Sequence, residues 1–292
     1  MLSGAFTLIV TPFTKDLDLD EAGLRLLVRR QVASGITGLA PLGVTGESPL
    51  LDEKEIARVV EIIVEEANGR CLVAPDTCSC NLKQTIARAK LYASLGCNFV
   101  VVFAPFLVKP TSAGVLDFFE RVAGESPIPV VIHNAPERVG VAVDPKMYAR
   151  LMEVPNIIGT KDGKKEMDHL AKLLYLARGK SFGILTGKDT TAYPLMSFGG
   201  QGVFTVAGNV VPEVMRDLVD LCHRGEWDKA RALHTDHYEL FEALRLETNP
   251  MAAKEALSLM GLPGGGLRPP LTRLNEPNRE LVRKLLKDKG LI

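Results

Sequence analysis

Three short stretches hold residues whose types and spacing could do chemistry. The first is Ile157-Ile158-Gly159-Thr160-Lys161-Asp162, where a lysine closes a β-branched run. An amine set above apolar residues loses hydration, its pKa falls, and the neutral form can attack a carbonyl to make an imine. A solvated loop lysine is the competing reading, since charged loop residues are usually hydrated. Lys109 and Lys188 also follow such runs, but further from the run's end or behind a glycine turn, so they are weaker candidates. The second stretch, Leu42-Gly43-Val44-Thr45-Gly46-Glu47, places glycines on both sides of Thr45. Glycine lets backbone N–H groups come close to a bound carboxylate, although a simple turn would account for the same residues. The third, Ile132-His133-Asn134-Ala135-Pro136-Glu137-Arg138, offers an imidazole able to move protons near neutral pH and a guanidinium able to clamp a second carboxylate. Either side chain alone is more often structural; the convergence of three run ends is what points to catalysis.

Those run ends can converge only if the chain forms a suitable frame. Short β-branched runs alternate with longer amphipathic segments from Gly4 to about Arg224, eight of each. The runs are 6–11, 38–42, 71–74, 99–103, 130–133, 157–161, 183–186 and 202–206, and most are nearly continuous in apolar residues. That pattern suits parallel strands buried on both faces. Helices are expected at 21–34, 82–94, 112–123, 145–152, 165–177, 190–197 and 211–223, with the clearest of all beginning at Asp52. There Asp52 and Glu55 form a capping box, Ile56, Val59, Val60, Ile63 and Ala67 share a face, and Gly69 stops the helix. Eight strand–helix units in this length indicate an α/β protein of the (β/α)8 barrel (TIM barrel) type, whose chemistry sits at the C-terminal ends of the strands. An open doubly wound sheet is disfavoured: no G-x-G-x-x-G follows the first run, and Gly187-Lys188-Asp189 fails the P-loop pattern. Three further helical stretches, 227–247, 251–260 and 276–289, follow the eighth unit. The division is therefore a catalytic barrel over residues 1–225 and a C-terminal helical extension over 226–292.

Composition narrows the partners. The 292 residues are 46% hydrophobic and 24% charged, with 35 basic and 35 acidic side chains. A chain with no net charge has no general attraction to phosphate backbones or anionic membranes, which points away from nucleic acid and membrane and towards a small metabolite. The opening MLSGAFTLIVTPF lacks a basic n-region and a small-residue cleavage site, so a cytoplasmic location is expected. Five scattered cysteines suit reduced thiols, and the Cys78-x-Cys80 pair has no second pair to complete a zinc site.

Taken in order and at these spacings, Thr11-Pro12 after the first run, Gly43–Glu47, Asn134-x-Pro136 with Gly140, Gly159-x-Lys161, Asn249-Pro250 and 267–272 resemble the dihydrodipicolinate synthase/N-acetylneuraminate lyase family over essentially the whole chain. The resemblance implies a homotetrameric (β/α)8 barrel that binds pyruvate or a related 2-oxo acid as an imine on Lys161, with no metal or organic cofactor. It implies that Gly43, Val44, Thr45 and Gly46 hold the first carboxylate, that the backbone near Phe204 lines the pocket, and that Arg138 holds the carboxylate of an aldehyde partner. Three positions depart from the synthases: Val44 stands for a threonine, and Leu107 and His133 for tyrosines. Those hydroxyls form the synthase proton relay, so His133 is expected to carry the proton instead, imidazole having a pKa near 6.5. The expectation is thus a carbon–carbon lyase or synthase acting on pyruvate and an acidic aldehyde such as aspartate semialdehyde. The alternatives are a 2-oxo-acid aldolase or dehydratase with another second substrate, and a keto-acid-binding or regulatory protein without turnover.

Overall fold

A computed structural model describes all 292 residues. Eight parallel strands, β1 (Gly4–Thr7), β2 (Gly38–Leu39), β3 (Leu72–Val73), β4 (Val100–Phe103), β5 (Val130–Asn134), β6 (Ile157–Asp162), β7 (Gly183–Thr186) and β8 (Gly202–Thr205), pair in the order β3-β2-β1-β8-β7-β6-β5-β4. The two outer strands close the ring through single bonds: Asn98 N–H to Val73 C=O, Val101 N–H to Pro75 C=O and Thr77 N–H to Val101 C=O, each 2.9 Å. This is the (β/α)8 barrel that the alternation predicts.

The ring of helices comprises α1 (Glu21–Ala33), α2 (Glu53–Ala67), α3 (Leu82–Ser94), α4 (Ser112–Glu125), α5 (Pro136–Val139), α6 (Pro145–Leu151), α7 (Met167–Ala177), α8 (Ala192–Ser197) and α9 (Pro212–His223). In α2 the capping box forms as its sequence requires: Asp52 accepts from the Glu55 amide and Glu55 accepts from the Asp52 amide. Its stop lies one residue earlier than expected, with Asn68 rather than Gly69 as the left-handed cap. Two features differ more. The stretch 190–197 splits into a 3-10 turn at Asp189–Thr191 followed by α8, and α5 is a four-residue helix that opens on Pro136 just past β5. So short an element leaves no periodicity to read.

Strand ends also moved. The first run, expected over 6–11, is strand only over Gly4–Thr7; beyond it the chain stays buried but bonds to side chains, with Val10 N–H donating to Asn209 Oδ1. Apolar continuity reports burial and does not separate a strand from a buried loop. Inside the ring Phe6 and Phe204 stack with centroids 5.0 Å apart and Phe99 meets Phe6 edge-on at 5.6 Å, so the barrel is plugged by aromatic side chains.

The extension consists of α10 (Trp227–Ala243), α11 (Met251–Leu259) and α12 (Glu276–Asp288). One continuous apolar core includes Leu2 of the barrel and Leu240, Leu257 and Leu286 of the extension. The extension also reaches into the catalytic face. Lys254 on α11 donates to Glu47 Oε1 at 2.6 Å and to Thr11 C=O at 2.9 Å, with both ionic side chains almost fully buried. Thr11 Oγ1 in turn donates to Gly46 C=O, so a residue 243 positions from Thr11 helps hold the 43–47 loop in shape. Removing one partner strands a buried charge, which costs roughly 3–5 kcal/mol. Lys254→Met is therefore expected to lower unfolding free energy by about that amount, as read from urea denaturation.

Candidate active site

A cavity of about 230 Å³ opens at the C-terminal end of the barrel. Each strand end contributes according to how its loop folds. Lys161, the fifth residue of β6, reaches into the cavity with only 6% of its surface exposed, which removes the solvated-loop reading. Its Nζ lies 5.7 Å from the centroid of the Phe204 ring. Burial draws its pKa from 10.5 down to about 8, Asp76 opposes the shift and the positive charge of Arg245 adds to it. At pH 7 roughly a tenth of such an amine is neutral, against about one part in three thousand for an ordinary lysine.

The end of β6 is clamped beneath this lysine. Asp162 accepts from Asn134 Nδ2 (2.8 Å), His169 Nε2 (3.0 Å), the Tyr148 hydroxyl (3.1 Å) and the Lys164 amide (2.8 Å). Asn134 also exchanges bonds with the Val143 backbone. Asn134 is thus a brace between β5 and β6, where His133 pairs in register with Lys161 and Asn134 with Asp162.

His133 lines the cavity and its ring lies face to face with Phe103, centroids 3.7 Å apart. Its Nδ1 is 2.8 Å from Asp76 Oδ2. Burial and the charge of Lys161 push its pKa down to about 4, against the opposing pull of Asp76. The ring is therefore neutral near pH 7. With Nδ1–H donated to the carboxylate, Nε2 keeps its lone pair and can accept a proton.

The 43–47 loop is a tight turn. Gly46 N–H bonds Leu42 C=O, Glu47 N–H bonds Val44 C=O and Ser48 N–H bonds Gly43 C=O. Gly43 has φ +60°, a left-handed conformation that side-chain-bearing residues seldom adopt, and a Cβ on Gly46 would stand 2.6 Å from the Leu42 nitrogen. The amides of Val44 and Thr45 have no protein acceptor. Adjacent N–H groups left free at a cavity wall form an anion-binding nest. Thr45 Oγ1 accepts from Asn249 Nδ2 at 2.8 Å, so its hydroxyl hydrogen is available to a ligand.

The mouth is rich in cations. Arg138, on α5, donates to Thr248 Oγ1 at 2.9 Å, and Arg245, just past α10, donates to Gly187 C=O at 3.2 Å. Lys188 is bridged by both oxygens of Glu137, each at 3.0 Å.

Lys161, His133, Gly43, Val44, Thr45 and Arg138 all border the cavity. Two expected residues do not. Gly46 is spent on the turn, and Phe204 lies wholly inside the barrel as the floor below Lys161, because alternate residues of β8 point inward; Val206, two residues on, forms the wall. Leu107 is 84% exposed and leaves the cavity altogether, so the three departing positions do not meet within one chain. Asp76, Arg245 and Asn249 border the cavity without having been assigned a role in the site from sequence, Asn249 having figured only among the motifs of the family resemblance. Asp76 lay within reach of the strand-end rule, two residues past the third run. Arg245 and Asn249 come from the extension, where that rule does not look. No group of three or more His, Cys, Asp or Glu is placed to hold a metal ion, and no helix is long and apolar enough to cross a membrane.

Barrels that act through a lysine amine at a strand end form the class I aldolases, and this enzyme is a lyase of that class. More narrowly, the chain belongs to the dihydrodipicolinate synthetase family, whose model matches residues 1–289. It is 37% identical over 292 residues, all of both chains, to a 4-hydroxy-tetrahydrodipicolinate synthase of Syntrophus aciditrophicus. To the enzyme of that name from Methanocaldococcus jannaschii it is 33% identical, again over all of both chains. Among solved structures, dihydrodipicolinate synthase from Thermotoga maritima superposes over all of both chains with a TM-score of 0.97 at 34% identity. The chloride-inhibited synthase of Acinetobacter baumannii complexed with pyruvate does so with a TM-score of 0.97 at 31% identity.

An amine with a pKa of about 8 sets a pH dependence. The rate of imine trapping by cyanoborohydride in the presence of pyruvate is expected to rise as pH rises through about 8 and then level off. A solvated lysine would keep rising to above pH 10.

Proposed function

We propose that this enzyme condenses pyruvate, or a related 2-oxo acid, with an acidic aldehyde through an imine on Lys161, in the manner of a dihydrodipicolinate synthase. The observation that carries the reading is a buried, partly neutral amine sharing one cavity with two partnerless amides and an arginine. The Val44 and Thr45 amides and the Thr45 hydroxyl hold the carboxylate of the 2-oxo acid. The Lys161 amine adds to its C2 carbonyl, and water leaves to give a protonated imine. His133 Nε2 removes a proton from C3, and the electron pair moves to the imine nitrogen as an enamine. The enamine carbon bonds to the aldehyde carbon, whose oxygen takes the proton back from His133. Water then hydrolyses the imine and restores the amine.

Electrostatics favour the middle step. Lys161's charge is one of the forces holding His133 deprotonated, and enamine formation removes that charge as the proton arrives on His133, where Asp76 stabilises it. Asp76 acts through His133 as a positioning residue. Arg138 holds the carboxylate of the aldehyde. The reading places the enzyme in the cytoplasm as a homotetramer, an assembly that would cover the exposed Leu107 and Val108. One observation favours a different second substrate: Val44, Leu107 and His133 stand where the synthases carry the hydroxyls of their relay. An aldolase or dehydratase of another 2-oxo acid would use the same lysine.

With pyruvate saturating, carboxylate-bearing aldehydes are expected to react on the order of 10²-fold faster in kcat/KM than butanal, and Arg138→Ala to remove most of that preference. Equal rates for charged and neutral aldehydes would contradict the reading.

A further inference from the structure

The cation content of the mouth exceeds what one carboxylate on Arg138 requires. Arg138 and Arg245 both border the cavity, and neither has a carboxylate within 4.0 Å. Each donates only to a neutral oxygen, Thr248 Oγ1 and Gly187 C=O. Their charges act on one another, since Arg245 is a cause of the lowered pKa of Arg138, and Arg245 acts on Lys161 as well. Like charges held together without a counter-ion cost free energy unless an anion joins them. The third cation there, Lys188, is already neutralised by Glu137. The only other acid on the cavity wall, Asp76, is committed to His133.

We propose that Arg245 is a specificity-determining residue that, together with Arg138, selects a second substrate whose far end is anionic and carries no ammonium group. The inference rests on the reading above, that a 2-oxo acid on Lys161 condenses with an acidic aldehyde. An α-amino aldehyde such as aspartate semialdehyde brings its own cation beside its carboxylate. That ammonium would enter a site holding two guanidiniums with no carboxylate within 4.0 Å of either, where Glu137, whose charge also acts on Arg138, is bonded to Lys188 and Asp76 to His133. The same aldehyde without the amine, succinic semialdehyde, keeps the carboxylate and drops the repulsion. Two planar forks also suit one carboxylate, which can accept from both.

The test compares aspartate semialdehyde, succinic semialdehyde and butanal with pyruvate saturating, in the full-length enzyme and in Arg245→Gln and Arg245→Lys, following pyruvate consumption. The ratio of kcat/KM values for the two acidic aldehydes is unaffected by the fraction of enzyme folded. Succinic semialdehyde is expected to exceed aspartate semialdehyde by roughly tenfold or more in the wild type, the ratio to fall by a similar factor in Arg245→Gln, and Arg245→Lys to keep most of it. A wild-type preference for aspartate semialdehyde, or an unchanged ratio in Arg245→Gln, overturns the role of Arg245 and leaves the condensation standing. If neither acidic aldehyde outruns butanal, both the condensation with an acidic aldehyde and this inference fall.

Discussion

Replacing Lys161 with methionine is expected to reduce turnover by on the order of 10⁴-fold or more while leaving the protein folded and, near neutral pH, more stable. The two effects have one cause. The amine sits where hydration is lost, so its pKa of about 8 in the folded enzyme lies below the 10.5 of an ordinary lysine. The folded state then binds fewer protons than the unfolded state between those values, and stability rises with pH across that window. Below about pH 8 the whole cost is present, and a shift of that size, which already includes the attraction to Asp76, corresponds to about 3 kcal/mol. Methionine fills similar space without that cost. Denaturant curves at pH 7 and pH 10 check the sign: the gain from Lys161→Met should be larger at pH 7. A structural lysine would show the reverse, with stability lost and activity only modestly changed.

The next largest effect concerns the imidazole and its carboxylate. His133→Ala is expected to cost about 10²–10⁴-fold in kcat, the range for losing a general base. Asp76→Asn should cost roughly 10²-fold or more, because an amide no longer fixes which ring nitrogen carries the hydrogen. The double substitution should be little worse than His133→Ala alone, since the two groups act as a unit. Asp76 is one of the forces raising the pKa of His133 against burial. Its loss should lower the titration of His133 from about 4 to a still more acidic value, as read from the ring proton shifts by NMR. If Asp76→Asn left kcat and that titration unchanged, the pair would be structural.

The frame was legible because parallel strands buried on both faces write themselves as apolar runs, and capped helices mark their own ends. Lys161 was legible for a related reason: a charged residue closing such a run is forced to the rim of the barrel. What escaped reading depended on contacts between distant parts of the chain. Asn249 meets Thr45 across 204 positions, and Lys254 meets Glu47 across 207. No local period marks such pairs. Asn249-Pro250 was legible only as a motif of the family resemblance, with no contact to go with it, whereas the asparagine orients the Thr45 hydroxyl. Asp76 escaped because the third run was followed only to Ala74, while the chain bridges Leu42 and Val101 at Asp76 itself. Phe204 shows a further limit: its strand ends at Thr205, so its ring stays inside the barrel, and the cavity wall is formed by Val206, where the backbone has already turned helical.

The account stands most directly on where a 2-oxo acid becomes covalently attached. Borohydride reduction of the enzyme in the presence of pyruvate, followed by digestion and mass spectrometry, should add one reduced pyruvate to the peptide carrying Lys161 and to no other. An unmodified Lys161 peptide, or an adduct on Lys109, Lys188 or another amine, would contradict it.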